Sequence, residues 1–247
     1  MQFTIPRDLP IRYAGAARDF NPIHLFPEDA QAAGFDRPVL HGMCVLGWVA
    51  GALEEAAGRP LTALHARFAA PAQVGDTVHV QPEPQAEHWT ATVTDTSGRT
   101  LLKQIRGDFD AQPLPTEFPD AGQPRRQHQA IISASKIREL RDALGLEGSE
   151  GLAPTTFAAV ACQRTVFALL DSPEVGLGIH GSIHTAQKLY LAAPITAGQA
   201  ITVTAAIQDD VTRRGLRRAT VRSRIEAGHG VGGALMCVAD WVLTRRV

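Results

Sequence analysis

Two proton-exchanging side chains, Asp19 and His24, lie five positions apart near the start of the sequence. A carboxylate and an imidazole that converge on one water molecule can share general acid and base catalysis. Pro22 stiffens the backbone between them, and the side-chain amide of Asn21 adds a group that can orient a water molecule. This spacing is compatible with a small acid/base site held in a loop.

The same residue types also have a purely structural interpretation. Asp19 can cap a turn, Asn21 can form an Asx turn before the proline, and His24 can pack at the start of a helix. Both interpretations place the residues in a loop, because the Asn21-Pro22 pair ends a helical pattern. The residues by themselves leave the two interpretations open.

The elements that must position this loop are predicted from apolar patterning. Residues 9–18 favour a short helix, and residues 28–33 favour one further helical turn. Gly42 opens a segment, ending at Ala57, that is apolar on nearly every face, which predicts a helix enclosed by other structure. Strand patterns follow at residues 63–68, 77–81, 88–94 and 100–108. The first part of the chain is therefore predicted to be one buried helix and an antiparallel meander.

The second part of the chain repeats this plan. Prolines crowd residues 111–130, which we interpret as an extended linker between a first unit, 1–110, and a second unit, 131–247. The second unit has helical patterns at residues 133–144 and 157–170, and strand patterns at 183–191, 200–208, 214–226 and 234–244. In both units a strand ends at Ala-Ala-Pro and a glycine turn follows, which indicates a duplicated architecture.

Charge, cysteine content and the lengths of the apolar runs limit the kinds of binding partner and of cellular location that we expect. A net charge of −1 gives no reason to expect a nucleic acid or an anionic membrane as partner. The three cysteines, Cys44, Cys162 and Cys237, are far apart in apolar sequence, so we expect buried reduced thiols. No apolar run reaches the roughly 18 residues of a membrane span, and the first residues lack a signal pattern, so a cytoplasmic protein is expected.

Several motifs together resemble one known family. Tyr13, the run from Asp19 to His24 and Ala30 resemble the motif of the MaoC-like, (R)-specific enoyl-CoA hydratases of the hydratase 2 type. His-Gly-Met at residues 41–43 and the segment 67–76 resemble the central helix start and the following strand and turn of that family. The resemblance covers residues 10–110, and the second half matches only in architecture.

The resemblance implies a fold class and a number of active sites. The family has the hot dog fold, a curved antiparallel sheet around one helix, so two units imply an α+β double hot dog. The second unit has no Asp-x-Asn-Pro-x-His run, which implies one catalytic site per chain and a second unit that shapes the acyl pocket. One departure is Arg18, where the family commonly has glycine before the aspartate, and another is Ala17.

The resemblance also implies a reaction, the reversible hydration of 2-enoyl-CoA to (R)-3-hydroxyacyl-CoA. Asp19 and His24 would hold the water and exchange its protons, without the sequence deciding which is acid and which is base, and Asn21 would orient the water or the pair. The backbone N–H of Gly42, at a helix start, would stabilise the thioester oxyanion. His41 is expected to hold the loop. We expect no metal and no cofactor beyond the coenzyme A or acyl carrier protein of the substrate, and a homodimer is compatible.

Three other functions stay open at this point: dehydration of 3-hydroxyacyl chains on acyl carrier protein, thioester hydrolysis, and acyl binding without catalysis. Among other residues, His180 and His184 could face the pocket, and an arginine cluster at residues 213–218 could meet coenzyme A phosphates or form a solvated hairpin tip. The run GHGVGG at residues 228–233 matches the letters of a dinucleotide fingerprint, but its place between two strand patterns predicts a hairpin turn.

Overall fold

The structure is a computed structural model that describes residues 1–148, 151–230 and 232–247. Ten antiparallel strands form one sheet in the order β1-β3-β4-β5-β2-β7-β10-β9-β8-β6. The strands are β1 Gln2–Thr4, β2 Ala63–Phe68, β3 Thr77–Pro84, β4 Trp89–Asp95, β5 Leu102–Asp108, β6 Arg125–Ile131, β7 Ile183–Leu191, β8 Ala200–Arg213, β9 Leu216–Ala227 and β10 Leu235–Arg246. The first five belong to the first half of the chain, and the two halves join where β2 pairs with β7.

In the part of the chain that the structure describes, five α-helices accompany the sheet: α1 Leu9–Ala17, α2 Pro27–Ala32, α3 Gly42–Ala57, α4 Ala134–Leu144 and α5 Phe157–Leu170. A 3-10 turn, Pro22–His24, lies between α1 and α2. Helix α3 packs on the strands of the first half and α5 on those of the second. No helix within the described ranges is long and apolar enough to cross a membrane.

The most apolar helix, α3, is enclosed because other structure covers nearly all of it. Ten of its residues are buried, among them Trp48 and Leu53. Gly47 has no side chain, and Leu144 of α4 fills the space: an added Cβ would lie 2.5 Å from Leu144 Cδ2. The central helix of the first half therefore packs directly against a helix of the second half.

Matching hydrogen bonds show that the two halves are built alike. In the first half, Ile5 N–H donates to Asp76 O at 2.9 Å, and Gly75 N–H donates to Ile5 O at 2.8 Å. In the second half, Ile132 N–H donates to Gln199 O at 2.9 Å, and Gly198 N–H donates to Ile132 O at 2.8 Å. Each half therefore anchors its start to the same turn after its Ala-Ala-Pro segment.

The segment between the halves differs from the predicted linker. Residues 125–131 form β6, an edge strand that pairs with β8, although residues 111–130 were predicted to lack regular structure. Their burial alternates residue by residue, because only one face of this strand covers the core. The preceding residues lie against the sheet: Arg222 donates to the Glu117 carbonyl at 2.9 Å, and the Arg224 guanidinium lies over the Phe118 ring.

The glycine-rich run at residues 228–233 connects β9 to β10, as its position between two strand patterns predicted; Val231 lies outside the described residues. Strand β8 is longer than predicted and continues to the turn at residues 214–215, and β9 begins after this turn, two residues later than predicted. Arg217 and Arg218 near this tip pair with Asp210 and Asp209, so these two arginines have acidic partners.

Candidate active site

The loop from Asp19 to His24 begins where helix α1 ends. Arg18 caps the helix in the left-handed conformation, with φ of 60°. This turns the chain so that the Asp19 N–H donates back to Ala14 O at 3.2 Å. The Asp19 carboxylate then accepts the Asn21 N–H at 3.3 Å, an Asx-type turn made by the aspartate itself.

His24 has one ring nitrogen fixed and one available. Its Nδ1 lies 2.7 Å from the Val39 carbonyl oxygen. Because a carbonyl oxygen only accepts, Nδ1 carries the proton, and Nε2 of the neutral ring can accept one. Burial is the largest cause that lowers the pKa of His24, against the opposing effects of the Asp19 charge and the Val39 carbonyl. His24 is thereby held in the form that can act as a base.

His41 holds the loop in place, as was expected. Its ring stacks on that of His24 with centroids 3.7 Å apart, and its Nε2–H donates to the Asp19 backbone carbonyl at 3.0 Å. Burial lowers the pKa of His41 well below its usual value, and the neighbouring His24 lowers it further. A neutral, buried His41 thus positions the backbone of Asp19.

The three side chains converge. One ligating atom from each of Asp19, His24 and His41 lies within 4.8 Å of the others. One water molecule can bridge groups at such a separation, which suits shared proton transfer. The spacing is also compatible with a metal ion, although one nitrogen of each histidine is already bonded to a backbone carbonyl.

Gly42 begins helix α3 beside this cluster, after His41 as N-cap. The first amides of a helix have no partner within it, so the N–H groups at this end can face a developing negative charge. The space of the missing side chain is not open, however: an added Cβ would lie 2.8 Å and 2.9 Å from two ring carbons of Phe68. Phe68 thus forms a wall next to the helix start.

The second half contributes a histidine to the same region. The ring of His184, on β7, lies 4.9 Å from that of Phe68 and stacks at 5.2 Å on that of Trp241. Its Nε2–H donates to Ala186 O at 2.9 Å. Burial lowers the pKa of His184 to about 4, and the Asp19 charge opposes this shift. That His184 faces the pocket stays a prediction; its ring lies next to Phe68, the residue that packs against Gly42.

A basic cluster of Arg164, His128 and Arg18, the residue before Asp19, had no clear signal in the sequence. Arg164 of α5 lies 3.3 Å from His128 of β6, measured from Nη1 to Nε2. Burial lowers the pKa of His128, and the charges of Arg164 and Arg18 lower it further. Arg18 therefore joins a cluster made otherwise by the second half. Cys44, in contrast, is an inert core thiol, because burial raises its pKa.

Known proteins with similar sequences match the first half of the chain. Residues 2–101 match the MaoC like domain family. The (R)-specific enoyl-CoA hydratase of Aeromonas caviae is 34% identical over 77 residues, which cover 30% of this chain and 58% of that protein. Peroxisomal multifunctional enzyme type 2 of Mus musculus is 30% identical over 110 residues, which cover 42% of this chain and 15% of that protein. The chain thus spans less than two thirds of the length of these relatives.

Solved structures match over the whole chain. A Mycobacterium tuberculosis protein described as a double hot dog has a TM-score of 0.69 at 14% identity, covering 100% of this chain and 93% of that one. A MaoC domain protein from Chloroflexus aurantiacus has a TM-score of 0.68 at 13% identity, covering 100% and 94%. The α+β architecture expected from the sequence is confirmed. The chain has the double hot dog fold, and its residues 2–101 match the MaoC like domain family.

Proposed function

We propose that the protein is a lyase that reversibly hydrates a 2-enoyl thioester of coenzyme A to the (R)-3-hydroxyacyl thioester, at the site of Asp19 and His24. The observation that carries this proposal is the neutral His24 ring, with Nδ1 bonded to Val39 O and Nε2 left to accept a proton, beside the Asp19 carboxylate. The names of the relatives, which include enoyl-CoA hydratases, support it.

The proton movements follow from these positions. A water molecule lies between the Asp19 carboxylate and Nε2 of His24, and one of its O–H bonds donates to Asp19. As the water oxygen bonds to C3 of the enoyl chain, the other proton passes to Nε2. The protonated His24 then returns a proton to C2, so that H and OH are both added and the site regains its starting state. The lowered pKa of His24 favours this return, because its protonated form is a stronger acid than an exposed imidazolium.

Charge that grows on the thioester oxygen needs a donor during the same step. We assign this role to the N–H of Gly42, where the unpaired amides and dipole of α3 favour an anion. One such donor is worth roughly 3 kcal/mol in acyl transfer. Phe68 would then serve as the wall that fixes the thioester against this helix start.

The basic cluster favours coenzyme A over acyl carrier protein as the carrier of the acyl chain, because only coenzyme A has adenosine phosphates. Arg164 and Arg18 approach His128 from opposite halves of the chain, next to the loop that carries Asp19. Arginine guanidinium groups bind phosphate oxygens through paired hydrogen bonds. Dehydration on acyl carrier protein remains the alternative within the same chemistry. Solved thioesterases share the fold at 12% identity, and a shared fold alone does not carry an activity.

A direct assay tests the proposal. The purified protein is incubated with crotonyl-CoA while loss of the conjugated double bond, release of free thiol and the configuration of the product are followed. We expect hydration to the (R) product, no thiol release, and unchanged turnover after treatment with a chelator, because the proposed proton transfers need no metal. Thiol release without hydration would support a thioesterase instead, and loss of turnover with the chelator would place a metal at the three-residue cluster.

A further inference from the structure

A cavity lies between the two halves of the chain at the C-terminal end of α3, whereas the Asp19 site lies beside the N-terminal end of this helix. It has a volume of about 890 Å³, enough for a ligand of drug-like size. Its walls come from the end of α3, the start of β2, the end of α4 and the segment after β7, and include Gly51, Leu61, Leu146, Thr155 and Ile195. Both halves of the chain therefore build it.

Hydrogen bonds identify this cavity as the counterpart of the Asp19 site. Helix α4 ends at Gly145 with φ of 67°, as α1 ends at Arg18 with φ of 60°. After Gly145, the Leu146 N–H donates to the carbonyl oxygen of Arg141, five residues earlier, at 3.0 Å. The Asp19 N–H donates in the same way to a carbonyl oxygen five residues earlier, at 3.2 Å. Leu146 consequently occupies the place that Asp19 has in the first half.

The segment that enters the central helix corresponds in the same way. In the first half, Leu40 N–H donates to Ala72 O at 2.8 Å, after the Ala-Ala-Pro segment. In the second half, Ala153 N–H donates to Ile195 O at 3.0 Å, at the same distance after its own Ala-Ala-Pro segment. The matched anchor points show that the walls of the crevice were kept in both copies.

The connection between these anchor points is much shorter in the second copy. In the first half 21 positions separate Asp19 from Leu40, whereas seven separate Leu146 from Ala153. The counterpart of the segment that holds His24 and α2 is thus missing from the sequence. The second copy has lost both groups of the acid/base pair and the covering segment, while the cavity between its walls is present.

The cavity lining suits an uncharged ligand with an apolar chain. Leucine, isoleucine, alanine and proline side chains form much of the wall. At one side, Glu54 Oε1 accepts Thr155 Oγ1–H at 2.6 Å and Leu61 N–H at 3.1 Å, which leaves its other oxygen to accept an amide N–H. Glu55, Glu147 and Arg141 also line the cavity; with Glu54 the carboxylates outnumber the single guanidinium by three to one, so the net negative charge disfavours phosphate groups.

We propose that this cavity binds a second acyl thioester, through its acyl chain and the amide-bearing pantetheine arm, without converting it. The inference rests on the proposed function, because it takes the ligand class of the second crevice from that of the first. The Leu146 side chain supplies an apolar contact where the first copy has a carboxylate, and the amide N–H groups of the arm find an acceptor at Glu54.

A matched pair of variants tests the proposal. Ala192, the first residue of the second Ala-Ala-Pro segment, lines the second cavity and is exposed. Ala69, the first residue of the first Ala-Ala-Pro segment, is its counterpart and is also exposed. Binding of octanoyl-pantetheine, which has no double bond to hydrate, is measured by titration calorimetry on wild type, Ala192→Trp and Ala69→Trp. We expect two equivalents on wild type, with Ala192→Trp losing the second-cavity event and Ala69→Trp losing the event at the Asp19 site. Leu152→Trp, at another exposed cavity position, should repeat the Ala192→Trp result.

Two results would overturn the inference. The first is a single equivalent on wild type; if a cavity variant weakens that single binding event, the cavity is the far end of the catalytic site. The second is two equivalents that persist in both cavity variants while thermal melting shows the variants folded. This test can fail independently of the proposed function. If wild type binds two equivalents of octanoyl-pantetheine but hydrates no enoyl thioester, the proposed catalysis is contradicted and the second binding site is still supported.

Discussion

Replacing Arg18 by glycine should stabilise the protein, because Arg18 has a backbone conformation that suits glycine. Its φ is 60°, in the left-handed region, where a residue with a Cβ is disfavoured by about 1–2 kcal/mol. Glycine removes that cost but adds about 0.5–1 kcal/mol of conformational freedom to the unfolded chain. The expected net gain is about 0.5–1 kcal/mol, equivalent to a rise in Tm of about 1–4 °C for a chain of this size.

The second half supplies the matched control. Gly145 has the same place at the end of α4, with φ of 67°, and an added Cβ would meet nothing within 4 Å. Gly145→Ala should therefore destabilise through backbone strain alone, by about 1 kcal/mol. The free energy of unfolding of wild type and of each single variant is measured by urea denaturation. A loss of stability in Arg18→Gly larger than 1 kcal/mol would show that side-chain contacts of Arg18 outweigh its backbone strain, and would refute this reasoning.

Three further predictions concern other parts of the molecule. His184 has a folded-state pKa of about 4, below the roughly 6.5 of an unfolded chain, so unfolding takes up a proton and stability falls as pH drops from about 6.5 to 4. His184 contributes up to about 3 kcal/mol to this loss of unfolding free energy. The variant His184→Gln should therefore lose less stability than wild type between these two pH values, as measured by denaturation curves. Arg164→Ala should raise KM for crotonyl-CoA several-fold more than KM for crotonyl-pantetheine, because only the former has adenosine phosphates. Gly47→Ala should cost about 1–3 kcal/mol of unfolding free energy, because its Cβ would meet Leu144, and Leu144→Ala in the same chain should restore part of the loss.

Each of these predictions has a contradicting outcome. Equal pH dependence in wild type and His184→Gln would show that this imidazole is not held neutral by burial. Equal KM changes for the two thioesters in Arg164→Ala would remove the basic cluster from phosphate binding. Additive losses in the Gly47→Ala and Leu144→Ala double variant would show that the two helices do not meet at this contact.

The central elements of the fold could be predicted because their patterns are strong and have clear ends. Helix α3 has the predicted bounds, since its largely apolar segment begins at Gly42 and Gly58 follows its last residue. Strands β2 and β7 also have the predicted bounds. Strand β6 was missed because prolines crowd the residues before it, and an edge strand with mostly polar residues has little hydrophobic signal.

The candidate site could be predicted only in its local part. The loop from Asp19 to His24 carries its own signal, because the Asn-Pro pair and the residue types lie within one short run. The contribution of His184 depends on the pairing of β2 with β7, which brings residues more than a hundred positions apart to the same place. The Phe68 ring against Gly42 follows from a side-chain packing that no local pattern specifies.

The measurement that tests the central claim most directly is the hydration rate of the variants Asp19→Asn and His24→Ala on crotonyl-CoA. Loss of general acid/base catalysis costs about 10²–10⁴-fold in rate, so each variant should lose at least two orders of magnitude in kcat. Thermal melting close to that of wild type would show that the loss is chemical, and an acid limb of the wild-type pH profile below about 6.5 would fit the lowered pKa of His24. Near-wild-type kcat in both folded variants would contradict the assignment of the acid/base pair.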